Sequence, residues 1–118
     1  MKVMVIVKAS KASEAGEMPS QELLTAMGNY NELLAKAGIL LAGDGLHPSS
    51  KGKRVRFSGK DRIVIDGPFT ESKELVASYA VLESDSKEDL MDWLWRFMEL
   101  IGHAEVELRP LYGPEDFG

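Results

Sequence analysis

Two strand–helix–strand patterns bracket a hairpin, and this order constrains the fold more than any other feature of the chain. Residues 2–8, KVMVIVK, form a short valine-rich run, the pattern of a central strand covered on both faces. The next stretch, ASKASEAGEMPS from Ala9 to Ser20, is small, polar and rich in turn formers, so it reads as a loop. Such long connections tend to be functional or mobile. Ser20 is placed to cap a helix, with Glu22 favourable to its dipole. Leu23, Met27, Tyr30 and Leu34 recur at helical spacing beside Leu24, and Gly38 is a fitting stop, which predicts a helix of about 18 residues. ILLAGDGL, Ile39 to Leu46, reads as a strand whose Gly43 and Gly45 mark a bulge or a close backbone approach. RVRF and RIVI flank Ser58–Asp61 as a hairpin, and Ala77–Glu83 is the following strand. Ser86 and Asp89 have the spacing of a capping box. The helix they open carries a core stripe of Leu90, Trp93, Leu94, Phe97 and Ile101, and a second stripe of Met91, Trp95 and Met98 that predicts a partner surface. Gly102 ends it, and a last strand to Pro110 turns Val106 and Leu108 inward and Glu105, Glu107 and Arg109 outward.

That order predicts a ferredoxin-like α+β fold, an antiparallel sheet with two helices on one face. The uncovered face is too apolar to stay wet, so two sheets are expected to pair face to face as a two-fold homodimer, a dimeric α/β barrel. At 118 residues a single domain, 1–118, is expected. No apolar run reaches the roughly 18 residues of a membrane span, and KVMVIVK is too short and regular for a signal peptide. The chain has no cysteine, which rules out disulfides, a thiolate nucleophile and a zinc–thiolate site and permits a cytoplasmic location. The net charge is −5, and the basic cluster of Lys51, Lys53, Arg54 and Arg56 reads as a solvated strand face, so nucleic acid is not an expected partner.

His47, in the glycine-rich bend GDGLHPSS, is near enough in sequence to Asp44 for a proton-transferring pair, although strand alternation need not bring the two together. His103 stands at a helix end, where a cation suits the dipole. Asp66, Glu71 and Glu74 are dense enough for acid/base work, yet Asp66 begins the turn Asp66-Gly67-Pro68-Phe69, where an aspartate accepts backbone N–H bonds. Phe69 is expected to tuck toward the core, and Glu71, Lys73 and Glu74 alternate in sign as a solvated segment does. There is no two-histidine metal spacing, no phosphate-cradling glycine loop and no nucleophile elbow, and no cofactor or metal is expected.

EAGEMPS (Glu14–Ser20), AGDGLHPSSKG (Ala42–Gly52), DGPFTESKEL (Asp66–Leu75) and EVELRPLYGPEDFG (Glu105–Gly118) occur in an order that resembles the DGPF branch of the YCII-related family. The resemblance spans nearly the whole chain and implies a dimeric α/β barrel. It also implies relatives among dehydrochlorinases and isomerases, a His–Asp site in the wider family, and frequent encoding beside extracytoplasmic-function sigma factors. Ser78 stands near the family's usual glycine, WLWRFMEL replaces the usual second helix and lacks its proline, and the N-terminal histidine of the wider family's site has no counterpart.

Three functions follow. The first is a small-molecule lyase or isomerase with His47 as base, Asp44 or Asp66 as its orienter, Lys73 or Arg109 as anion anchor, and Glu14, Glu71 and Glu74 around the ligand. The second is a non-catalytic ligand-binding or regulatory accessory protein linked to a sigma factor. In the third, the motifs specify only turns and the dimer seam.

Overall fold

The computed structural model describes residues 1–70, 74–102 and 104–117. The chain runs through β1 (Lys2–Lys8), α1 (Lys11–Glu14), α2 (Gln21–Lys36), β2 (Leu40–Gly45), β3 (Lys53–Ser58), β4 (Asp61–Asp66), β5 (Val76–Glu83), α3 (Lys87–Ile101) and β6 (Val106–Pro110). Four strands form one sheet in the order β2-β5-β1-β6, every neighbouring pair antiparallel. This is the ferredoxin-like α+β arrangement, with β3 and β4 inserted as a separate two-stranded sheet.

The α2 helix starts where its cap dictates: Ser20 Oγ accepts from the Leu23 N–H at 3.1 Å. Gly38, at φ +76°, takes the left-handed conformation that turns the chain from α2 into β2. At α3, Ser86 Oγ accepts from the Asp89 N–H at 3.2 Å, but the Ser86 N–H goes to Ser84 Oγ, so only half of the expected capping box forms. The stretch read as a loop contains α1, one turn closed by a reciprocal cap between Ser10 and Ser13. Its small polar residues carry no apolar periodicity, so only the capping pair could have signalled it.

Strand alternation decides which residues meet the helices. Val3 and Val5 of β1, Leu82 of β5 and Leu90 and Leu94 of α3 form the buried cluster, joined by Val7, Ala80, Val106 and Leu108. Met91 and Met98 of the second α3 stripe also pack into it. Trp95 does not, and at 56% exposure it is the member of that stripe left in solvent. The opposite sheet face carries the alternate positions, among them Met4, Ile6, Tyr79 and Val81, all half-buried. Lys8 and Arg109 flank Glu107 there at 3.5 and 3.1 Å, and the two cations hold its carboxyl below the usual glutamate range.

The β3–β4 hairpin turns through Gly59 (φ +58°) and Lys60, with Ser58 opposite Asp61. It extends away from the body. The radius of gyration is 16.4 Å, against roughly 13–14 Å for a compact chain of this length.

Burial separates two α3 residues cleanly. Leu90, 3% exposed, should cost about 2–5 kcal/mol when replaced by alanine, whereas Trp95→Ala should stay within about 0.5 kcal/mol. Chemical denaturation of the two variants checks this, and equal losses would contradict the assigned facing of α3.

Candidate functional site

Between the sheet and the two long helices lies a cavity of about 390 Å³. Its walls are Val5 and Val7 of β1, Met27 and Leu34 of α2, and Trp93, Leu94 and Phe97 of α3, with Asn31, Ser78 and the Gly43–Gly45 segment adding polarity. The cavity exists because of two missing side chains. Gly43 pairs with Ala80 and Gly45 with Ser78, so by alternation both glycines belong to the helix-facing side of β2 and leave it bare. A β-carbon at Gly43 would sit 3.2 Å from the Tyr79 carbonyl oxygen, while one at Gly45 would meet nothing within 4 Å. Tyr30 helps to hold the helix pair apart: its hydroxyl donates to the Trp93 carbonyl at 2.6 Å and its ring stacks on Phe97.

The Asp44 backbone borders the cavity, and its side chain, opposite Tyr79 in the β2–β5 register, points to the other face of the sheet. The Tyr79 hydroxyl donates to Asp44 Oδ2 at 3.0 Å. That hydrogen bond, then the carboxylate charge, raises the Tyr79 pKa above its ordinary value. Tyr79 was not among the residues singled out from sequence. Its signal was available only once β2 and β5 were aligned, because the pair is 35 positions apart.

A second group of side chains joins three of the four family-like segments. Glu14 Oε2 accepts from the Ser49 N–H at 2.9 Å and from the Ser49 hydroxyl at 3.0 Å, and Ser49 Oγ accepts from the Phe69 N–H at 3.0 Å. The Gly67 N–H donates to the Gly52 carbonyl at 3.0 Å. A β-carbon at Gly67 would overlap the Ser49 carbonyl, so only glycine fits there. This junction sets the base of the hairpin. Phe69 does not reach the core: it lies beside Gly52 with the Arg54 guanidinium 4.1 Å from its ring centre. Asp66 bonds the Lys53 ammonium at 2.6 Å across the β3–β4 ladder in place of the expected backbone N–H groups, because it ends β4 opposite that side chain.

The candidate residues therefore divide. Asp44 borders the cavity through its backbone and turns its carboxylate to Tyr79 on the opposite sheet face, Glu14 is committed to Ser49, Asp66 to Lys53, and Arg109 to Glu107 on β6. His47 is exposed beyond the end of β2, and Asp44 bonds Tyr79 rather than His47. Glu74 is exposed, and Glu71, Lys73 and His103 lie outside the described residues. Among the described residues no group of three histidines or carboxylates stands together as a metal site, and no helix is long and apolar enough to cross a membrane.

Two substitutions test these contacts. Asp44→Asn should bring the Tyr79 pKa down toward that of a free phenol, seen by NMR titration of its ring, and an unmoved titration would show the pair absent in solution. Gly67→Ala should cost about 1–3 kcal/mol and lower the thermal midpoint by several degrees, and an unchanged melt would contradict the close approach to Ser49.

A solved structure of 5-chloro-2-hydroxyhydroquinone dehydrochlorinase (TftG) from Burkholderia phenoliruptrix AC1100, in complex with 2,5-dihydroxybenzoquinone, is similar in fold. It superposes with a TM-score of 0.55 at 13% identity, over 98% of each chain. A search of the curated proteins returned no match. The YCII-related domain model matches residues 1–109, almost the whole of the chain. By that match the chain belongs to the YCII-related domain family.

Proposed function

We propose that this protein binds a small, largely apolar ring compound between its sheet and helices and acts on it as a lyase or isomerase by proton transfer. The observation that carries the reading is the cavity itself. About 390 Å³ of mostly aliphatic and aromatic wall, with a few polar groups near one strand, is the usual composition of a small-molecule site. The dehydrochlorinase of similar fold holds 2,5-dihydroxybenzoquinone, which makes a hydroxylated ring the natural first probe. The positions where the sequence departs from its family, Ser78 and the helix bearing Trp93 and Phe97, all contribute to the wall, so the ligand is expected to differ in shape from those of relatives.

Asp44 and Tyr79 lie on the strands that floor the cavity, with their hydrogen-bonded side chains on the opposite sheet face. In this reading proton transfer falls to the Asp44–Tyr79 pair and to exposed His47, just beyond the end of β2. Asp66 and Arg109 have ion-pair partners of their own, so Asp44 and His47 are the favoured members of the candidate set. The uncovered sheet face with Met4, Ile6 and Val81 is proposed to pair with a second copy, a two-fold homodimer. A non-catalytic accessory role beside a sigma-factor-linked regulator is the second reading, favoured by the exposed Trp95 on α3.

Calorimetry with 2,5-dihydroxybenzoquinone tests the site. Gly45→Val puts a side chain into open space on a strand that tolerates it, so the variant should fold normally and bind at least about tenfold more weakly, a loss of about 1.4 kcal/mol. Equal binding by both proteins would remove the cavity from the function. Asp44→Asn should keep binding while losing enzyme-accelerated exchange of the ring protons for deuterium. Exchange that persists would remove Asp44 as the base, and a wild type that accelerates no exchange would leave the accessory reading in place.

A further inference from the structure

The β3–β4 hairpin has an apolar face that its own chain does not cover. Residues paired across the ladder share a face: Val55 with Val64, Phe57 with Arg62, and Lys53 with Asp66. Val55 is 71% exposed, Phe57 68% and Val64 59%, which places three neighbouring large apolar side chains in solvent on one surface. The reverse face, with Ile63 and Ile65 at 47% and 37%, is also incompletely covered. An isolated two-stranded hairpin is marginal in water, and a contiguous exposed apolar patch marks an interaction surface. The hairpin is nonetheless aimed firmly, because the Glu14–Ser49–Phe69 contacts and the Gly67–Gly52 bond hold its base.

The charge distribution says what covers it. Residues 53–66 hold five of the 14 lysines and arginines and two of the 19 acids, a net +3, while the whole chain is −5, so the remainder is −8. A basic apolar arm and an acidic body on one chain are complementary between two copies and need no further partner. The net negative charge of the chain disfavours the other obvious occupant, an anionic membrane surface. We propose that the hairpin is an exchanged arm: the Val55–Phe57–Val64 face of each copy docks on the acidic body of a second copy. The proposal deepens the two-fold dimer inferred for the open sheet face, and it makes the arm a contact separate from that face.

The test is the dimer dissociation constant by analytical ultracentrifugation for the wild type, the arm variant Val55→Glu/Phe57→Glu and the sheet variant Ile6→Glu. The arm variant should weaken the dimer at least tenfold while far-ultraviolet circular dichroism stays that of the wild type, because these side chains take no part in the core. Raising the salt should weaken the wild-type dimer in the same direction. Zero-length carbodiimide cross-linking of an equal mixture of light and nitrogen-15-labelled chains should give mixed-isotope links from Lys53 or Lys60 to carboxylates outside 53–66. An arm variant that dimerises as the wild type does, with only same-chain links, would overturn the arm and leave the sheet-face dimer standing. An Ile6→Glu variant that dimerises normally beside a weakened arm variant would support the arm and remove the sheet face. A wild type that is monomeric throughout overturns both, and its capture by vesicles of phosphatidylglycerol would then assign the arm to a membrane.

Discussion

The placement of β1 governs the body of this protein. Both of its edges are hydrogen-bonded, to β5 and to β6, and Val3 and Val5 lie under Leu90 and Leu94. A strand held on both edges and one face cannot slip by one residue without sending Met4 and Ile6 beneath the helices in place of the valines. The register then passes outward through β5 to β2, where it sets Gly43 opposite Ala80, Asp44 opposite Tyr79 and Gly45 opposite Ser78. The bare floor of the cavity and the tyrosine–carboxylate pair on the other sheet face are both consequences of that alignment.

Glycine shapes the molecule in two different ways. In β2 it leaves volume: Gly43 and Gly45 supply no side chains where a core strand would normally supply two, and the gap between sheet and helices stays open. At Gly67 it permits contact, since the Ser49 carbonyl occupies the space that any β-carbon would need. Around that contact the Ser49 hydroxyl passes a hydrogen-bond chain from the Phe69 N–H to the Glu14 carboxylate. The polar residues that look most like chemistry in this region hold the hairpin at its angle.

The second sheet face and the hairpin both hold apolar side chains outside the core, and they differ in kind. The sheet face mixes Met4, Ile6 and Val81 with the Lys8–Glu107–Arg109 cluster and is half-buried already. The hairpin is basic and far more exposed. A chain that is strongly acidic elsewhere thus presents its opposite charge on an arm that projects from the body.

The sequence by itself determined the order of the strands and the two long helices with their serine caps, the hairpin and the inward set Val106 and Leu108, but not α1, because apolar period and capping chemistry are local and α1 has no apolar period. It also carried the family, through segments whose wording is specific. It placed Phe69 in the core and Asp66 on backbone N–H groups, where the structure has an arginine-stacked ring and a lysine pair. Periodicity alone made Met91, Trp95 and Met98 equivalent, and only packing against the sheet separated the buried methionines from the exposed tryptophan. Tertiary structure alone decided that Asp44 meets Tyr79 while His47 stays in solvent, and that Glu14 belongs to Ser49. The reason is physical: hydrogen bonds between residues 35 positions apart depend on strand register and chain direction, which no local pattern encodes.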